Sequence, residues 1–139
     1  MADKTLFDEK GNPVAYIADD YNSTIYMWDG SPVAYIYEGE HVYGINGHHL
    51  GWWLEEILYN IDGERIAFAS GTCPVAIGKE SPKNKKQRTE EIRPRWKAPP
   101  LPKLRFDFAG QDLADFLREG QIARFYEESP PEESQDSET

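Results

Sequence analysis

The pattern Gly-x-x-aliphatic-(Ala/Gly)-aromatic occurs four times in the first half of this 139-residue chain. It reads Gly11-Asn12-Pro13-Val14-Ala15-Tyr16, Gly30-Ser31-Pro32-Val33-Ala34-Tyr35, Gly47-His48-His49-Leu50-Gly51-Trp52 and Gly63-Glu64-Arg65-Ile66-Ala67-Phe68. The glycines lie 19, 17 and 16 residues apart, so the chain is internally repetitive. A unit of about 17 residues has room for one β-hairpin and little else. A lone hairpin is marginal in water, so the units must bury a face against one another. The repeat predicts an all-β core of four hairpins in a pseudo-fourfold arrangement, with a closed small barrel or a meander as the alternative.

Asp or Asn stands directly before three of the glycines, in Asp29-Gly30, Asn46-Gly47 and Asp62-Gly63. That dipeptide tolerates positive φ at both central positions of a type I′ turn, so a two-residue turn is expected. The first unit, Phe7-Asp8-Glu9-Lys10-Gly11, is expected to turn more loosely. Pairing about Asp29-Gly30 sets Tyr26 opposite Val33 and Ile25 opposite Ala34, and opposed residues share a face. One face then collects Tyr26, Trp28, Val33 and Tyr35, and the other Ile25, Met27 and Ala34. The same rule groups Tyr43, Ile45, Leu50 and Trp52, then Tyr59, Ile61, Ile66 and Phe68. Ala15, Ala34, Gly51 and Ala67 share one repeat position, and a small residue there suggests close backbone approach where units converge. The segment Pro74-Val75-Ala76-Ile77 echoes the repeat without its glycine and is a candidate extra strand sealing the ring.

Net charge is −10, and its distribution is uneven. Residues 1–78 carry 12 acids against 3 bases, residues 79–106 carry 10 bases against 3 acids, and residues 107–139 carry 10 acids against 2 bases. This divides the chain into a hairpin repeat domain (1–78), a basic Pro-rich arm (79–106), a C-terminal segment with a short helix (107–126) and an acidic tail (127–139) expected to be disordered. The helix is expected from Leu113, Phe116 and Leu117 at i, i+3 and i+4. The arm has no apolar periodicity. It reads as extended, disordered over residues 83–88 and polyproline-like over residues 98–102.

The arm is the functional lead. Lys83, Lys85, Lys86, Arg88, Arg93, Arg95 and Lys97, with Trp96 able to stack, form the candidate interaction site. One reading lays the arm on the acidic body or pairs it with the tail, since opposite charges on one chain meet at high effective concentration. The other gives it an acidic partner or nucleic acid.

Chemistry is otherwise thin. No nucleophile stands beside a base at a recognisable spacing, and the repeat glycines join strand to strand, which excludes a phosphate loop opening a helix. No catalytic residue, metal or cofactor is expected, and an enzyme would have to assemble its site only in three dimensions. His48 and His49 are poor joint metal ligands, because adjacent strand residues point to opposite faces. The turn acids are explained by turn chemistry. The aromatic face reads as core, with a ligand cup as the alternative. The lone Cys73 and the lack of an apolar run or leader fit an unexported, cytoplasmic protein. The expected partner is another protein or a second copy, nucleic acid is the alternative through the arm, and no membrane is expected.

The units Trp28-Asp29-Gly30-Ser31-Pro32-Val33-Ala34-Tyr35 and Val42-Tyr43-Gly44-Ile45-Asn46-Gly47-His48-His49-Leu50-Gly51-Trp52, with the Pro- and base-rich stretch that follows, resemble the bacterial family of 4-fold β-flower proteins. The resemblance spans roughly residues 4–110 on the repeat pattern. It implies a fourfold set of hairpins and an uncharacterised function, and it carries over no catalytic residue. The acidic tail and the looser first turn depart from it.

Overall fold

The computed structural model describes residues 3–88 and 91–122. Eight antiparallel strands close into a barrel in sequence order: β1 (Lys4–Phe7), β2 (Pro13–Ile17), β3 (Thr24–Met27), β4 (Pro32–Tyr37), β5 (His41–Gly44), β6 (His49–Leu54), β7 (Ile57–Asn60) and β8 (Arg65–Phe68). Each repeat unit is one hairpin, and Phe7 opposite Phe68 closes the ring. The candidate strand at 74–77 is not formed. β8 already pairs with β1, so no edge remains for it to seal.

The glycine turns differ from expectation. Met27 N–H donates to Ser31 O (2.8 Å) and Gly30 N–H donates to Met27 O (2.9 Å), which closes a three-residue loop. The same two bonds recur at Asp8/Asn12/Gly11, Gly44/His48/Gly47 and Asn60/Glu64/Gly63, so the first turn is no looser than the others. Only the glycine is left-handed, at φ +95° in Gly30. This is a tight turn followed by a glycine bulge rather than a two-residue type I′ turn. Side-chain oxygens satisfy the amides at the turns: Asp29 accepts from Ser31 N–H and Asn46 from His48 N–H, while Asp8 and Asn60, the residues just before their loops, accept from Asn12 N–H and Glu64 N–H. Type I′ geometry occurs instead between hairpins, where Glu38-Gly39 and Glu55-Glu56 supply consecutive positive φ values.

The extra loop residue shifts the register between Leu6/Phe7, Ile25/Tyr26, Val42/Tyr43 and Leu58/Tyr59, one bulge in each hairpin. Past the bulge the strand turns its other face inward. Val33, Leu50 and Ile66, expected beside the tyrosines, therefore join the interior with Leu6, Ile25, Val42 and Leu58. Ala15, Ala34 and Ala67 are fully buried there, as the recurrence of small residues suggested.

The aromatics face outward, one pair at each seam between hairpins: Tyr16 with Tyr26, Tyr35 with Tyr43, Trp52 with Tyr59 and Phe68 with Phe7. The first two pairs stack at 5.7 and 6.1 Å. Their burial, with Tyr16 1% and Tyr35 3% exposed, comes from what covers the barrel.

One cover is a helix. α1 (Leu113–Arg118) is the short helix expected from Leu113, Phe116 and Leu117, ended by Gly120 N–H donating to Leu117 O. It buries Leu113, Phe116 and Leu117 in the barrel interior at the glycine-turn end. There Gly120 lies on Gly44, Asn46 donates to Glu119 O, and Arg118 pairs with Asp29 at 3.2 Å. No helix among the described residues is long and apolar enough to cross a membrane. The acidic tail lies outside the described residues.

Candidate interaction face

The other cover is the basic arm, which encircles the barrel as a belt. Gly78, Gln87, Trp96 and Arg105, nine residues apart, each donate a backbone N–H to the carbonyl of one turn glycine: Gly11, Gly30, Gly47 and Gly63, at 2.7–2.9 Å. Two residues before each donor, the carbonyls of Ala76, Lys85, Pro94 and Lys103 rest on the same glycines. A Cβ on Gly30 would come within 2.1 Å of Lys85 O. The turn glycine is thus required twice, by its own φ and by the belt. Further main-chain bonds run from Asn84 N–H to Trp28 O and from Arg93 N–H to Ile45 O. Residues 83–88, expected to be disordered, are docked by these bonds.

The belt covers the aromatic seams with selected side chains. Lys83 Nζ stands 4.4 Å from the Tyr16 ring centre and Lys86 5.5 Å from that of Tyr26. Both ammonium groups also approach Asp3, at 3.5 and 4.0 Å. Burial, then the nearby Asp3, pushes the Tyr16 hydroxyl above its ordinary pKa, so the lysines meet a neutral ring. At the next seam Ile92 packs on Tyr35, Tyr43 and Ile45, and Tyr43 donates its hydroxyl to Trp96 O at 2.9 Å. Arg95 lies 3.8 Å over Tyr37 and donates to the Tyr35 hydroxyl at 3.2 Å. Beside it an open depression of about 470 Å³ is lined by Tyr35, Tyr37, Ile92, Arg95 and the fully exposed Tyr21.

The eight predicted interaction residues therefore divide. Lys83, Lys86 and Arg95 lie on barrel aromatics. Lys85, Arg88, Arg93 and Lys97 are exposed and make no ion pair with another described residue. Trp96 touches the His48 ring at 4.0 Å yet stays 62% exposed.

The histidines separate as strand geometry requires. His48 meets Trp96, whereas His49 turns to His41, with Nδ1 of His41 3.1 Å from Nε2 of His49. Nδ1 of His49 is buried without a partner. A bare acceptor costs less there than an unmet N–H, which assigns the shared proton to His49 Nε2. Burial, then the neighbouring His41, pushes the His49 pKa down to about 4. Among the described residues no three His, Cys, Asp or Glu side chains group as metal ligands. Burial raises the carboxyl pKa of Asp29, but the Ser31 hydrogen bonds and Arg118 together outweigh it and hold it below the usual carboxylate range.

No curated protein and no solved structure matches the chain. A family model described as 4-fold beta flower protein matches residues 4–117, which takes in the barrel, the belt and nearly all of α1. Four hairpins in a fourfold arrangement are thus the common ground of sequence, structure and family model, and the chain belongs to the 4-fold beta flower protein family.

Proposed function

We propose that this chain is a non-enzymatic binding protein that holds an anionic partner on the belt between Lys85 and Lys97. The observation that supports this is a division of labour within the belt. Its attachment to the turns is made by main-chain N–H and C=O groups, which any non-proline residue supplies. Attachment therefore does not explain why the segment is basic. Three cations lie on barrel aromatics, and the other four are exposed along the same belt that carries the exposed Trp96. Cations beside an exposed indole suit a flexible acidic protein segment. They also match the stacking platform used for single-stranded nucleic acid, which is the second reading. The barrel's 12 acids against 3 bases in residues 1–78 favour a short acidic segment over a long polyanion.

The test measures fluorescence anisotropy of a labelled glutamate 20-mer and of a labelled thymidine 20-mer, in salt of about 20 mM and then about 300 mM. The expected result is binding of the acidic peptide that weakens steeply with salt. The variant Lys85→Gln/Arg88→Gln/Arg93→Gln/Lys97→Gln should bind at least about tenfold more weakly, with its melting temperature unchanged. Preferential binding of the oligonucleotide would select the second reading. Binding of neither polymer at low salt, or equal binding by the variant, would refute both.

A further inference from the structure

The end of the barrel opposite α1 holds a cavity unrelated to the belt. Positions two residues beyond the recurring small residue are Ile17, Ile36 and Trp53, on strands β2, β4 and β6. Ile17 belongs to the interior cluster, and Ile36 and Trp53 pack against it. Above them a space of about 230 Å³ opens, rimmed by Asp19, Asp20 and Ser23. β-Barrel mouths are a preferred place for small-ligand sites, and such sites combine an apolar floor with a few polar groups.

The rim fixes the sign of the ligand's charge. The inter-hairpin loops at this end carry Asp19, Asp20, Glu38, Glu40, Glu55 and Glu56. The basic side chain on the cavity wall, Lys4, is already paired with Glu56. All non-glycine residues with positive φ among the described residues also lie in these loops: Ser23, Glu38, Glu55 and Glu56. Of these, Ser23 lines the cavity, and the others form the turns beside it.

We propose that this mouth binds a small organic cation, its flat apolar body on Ile17, Ile36 and Trp53 and its ammonium group toward Asp19 and Asp20. The indole of Trp53 supplies both apolar area and an attractive face for a cation. Asp20 already accepts from Thr24 N–H at 2.9 Å, which fixes its carboxylate at the rim and leaves lone pairs for a donor. A body the size of one benzene ring fits the volume. An anion of the same shape would meet the acidic rim of Asp19 and Asp20 and be disfavoured.

The experiment titrates benzylamine, its neutral isostere benzyl alcohol, and benzoate into isotopically labelled full-length protein and follows amide and indole resonances. Benzylamine should shift the Trp53 indole and the amides of Ile17 and Ile36 along one saturable curve, with a dissociation constant of about 1 mM. Benzyl alcohol should bind about tenfold more weakly, and benzoate should not bind, because only the amine carries a charge complementary to the rim. Asp19→Asn/Asp20→Asn should erase the amine's advantage. The carboxamide that replaces the Asp20 carboxylate keeps an oxygen for the Thr24 amide, and the wild-type comparison of three probes stands even if the variant folds poorly. Equal binding of amine and alcohol, shifts centred away from Trp53, or no saturable shift would overturn the proposal.

Discussion

At Gly30 two constraints meet on one Cα. Its φ of +95° disfavours any side chain, and Lys85 O of the belt occupies the space a Cβ would need. Gly39 has a similar φ of +78° with nothing within 4 Å. Gly39→Ala should therefore cost only backbone strain, about 1 kcal/mol. Gly30→Ala should cost about 2–3 kcal/mol, because the belt must also shift. The difference is measurable by urea unfolding, and only Gly30→Ala should open the belt to trypsin around Lys85, Lys86 and Arg88. Equal costs would show that the belt does not bear on the turn. His49 makes the second residue-scale prediction. Folded, its ring takes a proton only near pH 4, whereas the unfolded ring takes it near 6.5. The unfolded chain thus binds more protons between these values. Stability is complete above pH 6.5 and declines as the pH falls to 4, by at most about 3 kcal/mol. Urea midpoints at pH 7, 5.5 and 4.5 should show this slope, and His49→Gln should flatten it. A slope that survives the substitution would assign it to other groups.

Among the elements, the inter-hairpin turn at Glu55-Glu56 holds two non-glycine residues in left-handed conformation, at φ +51° and +65°. Asn-Gly favours that geometry, so Glu55→Asn/Glu56→Gly should stabilise the protein by about 1 kcal/mol. Glu56 also pairs with Lys4, but both side chains are nearly half exposed and the pair contributes little. A lower melting temperature would mean that pair matters more than the turn. The α1 element makes the opposite prediction. Phe116 is 3% exposed inside the barrel end, so Phe116→Ala should cost about 3 kcal/mol in thermal or urea unfolding. A cost near zero would detach the helix from the core. Both elements show which signals the sequence carries. The hairpins were legible because each turn glycine is a residue identity, and the docking face of α1 because Leu113, Phe116 and Leu117 keep helical spacing. The turn type was not, because Asp-Gly suits both a type I′ pair and a glycine bulge, and the added loop residue moved Val33, Leu50 and Ile66 to the other face. Nothing about Glu-Glu announces a type I′ turn.

For the molecule as a whole, the fourfold repeat does not stop at the barrel. It continues in the belt as a nine-residue spacing of the donors Gly78, Gln87, Trp96 and Arg105, whose own side chains differ although a base follows each of the first three, at Lys79, Arg88 and Lys97. A pattern carried by main-chain bonds leaves only a faint residue signature, which is why composition suggested a loose, partly disordered arm. The basic residues of the candidate site were legible as a cluster; which of them lie on tyrosines and which face solvent depended on the path of the belt. The path of the belt is part of the fold and is held by main-chain bonds. Amide hydrogen exchange at Gly78, Gln87, Trp96 and Arg105 tests it most directly. All four amides should exchange far more slowly than at random-coil rates and stay protected at high salt, because neutral hydrogen bonds are not screened as charges are. Exchange at random-coil rates, or protection that vanishes as salt rises, would contradict it.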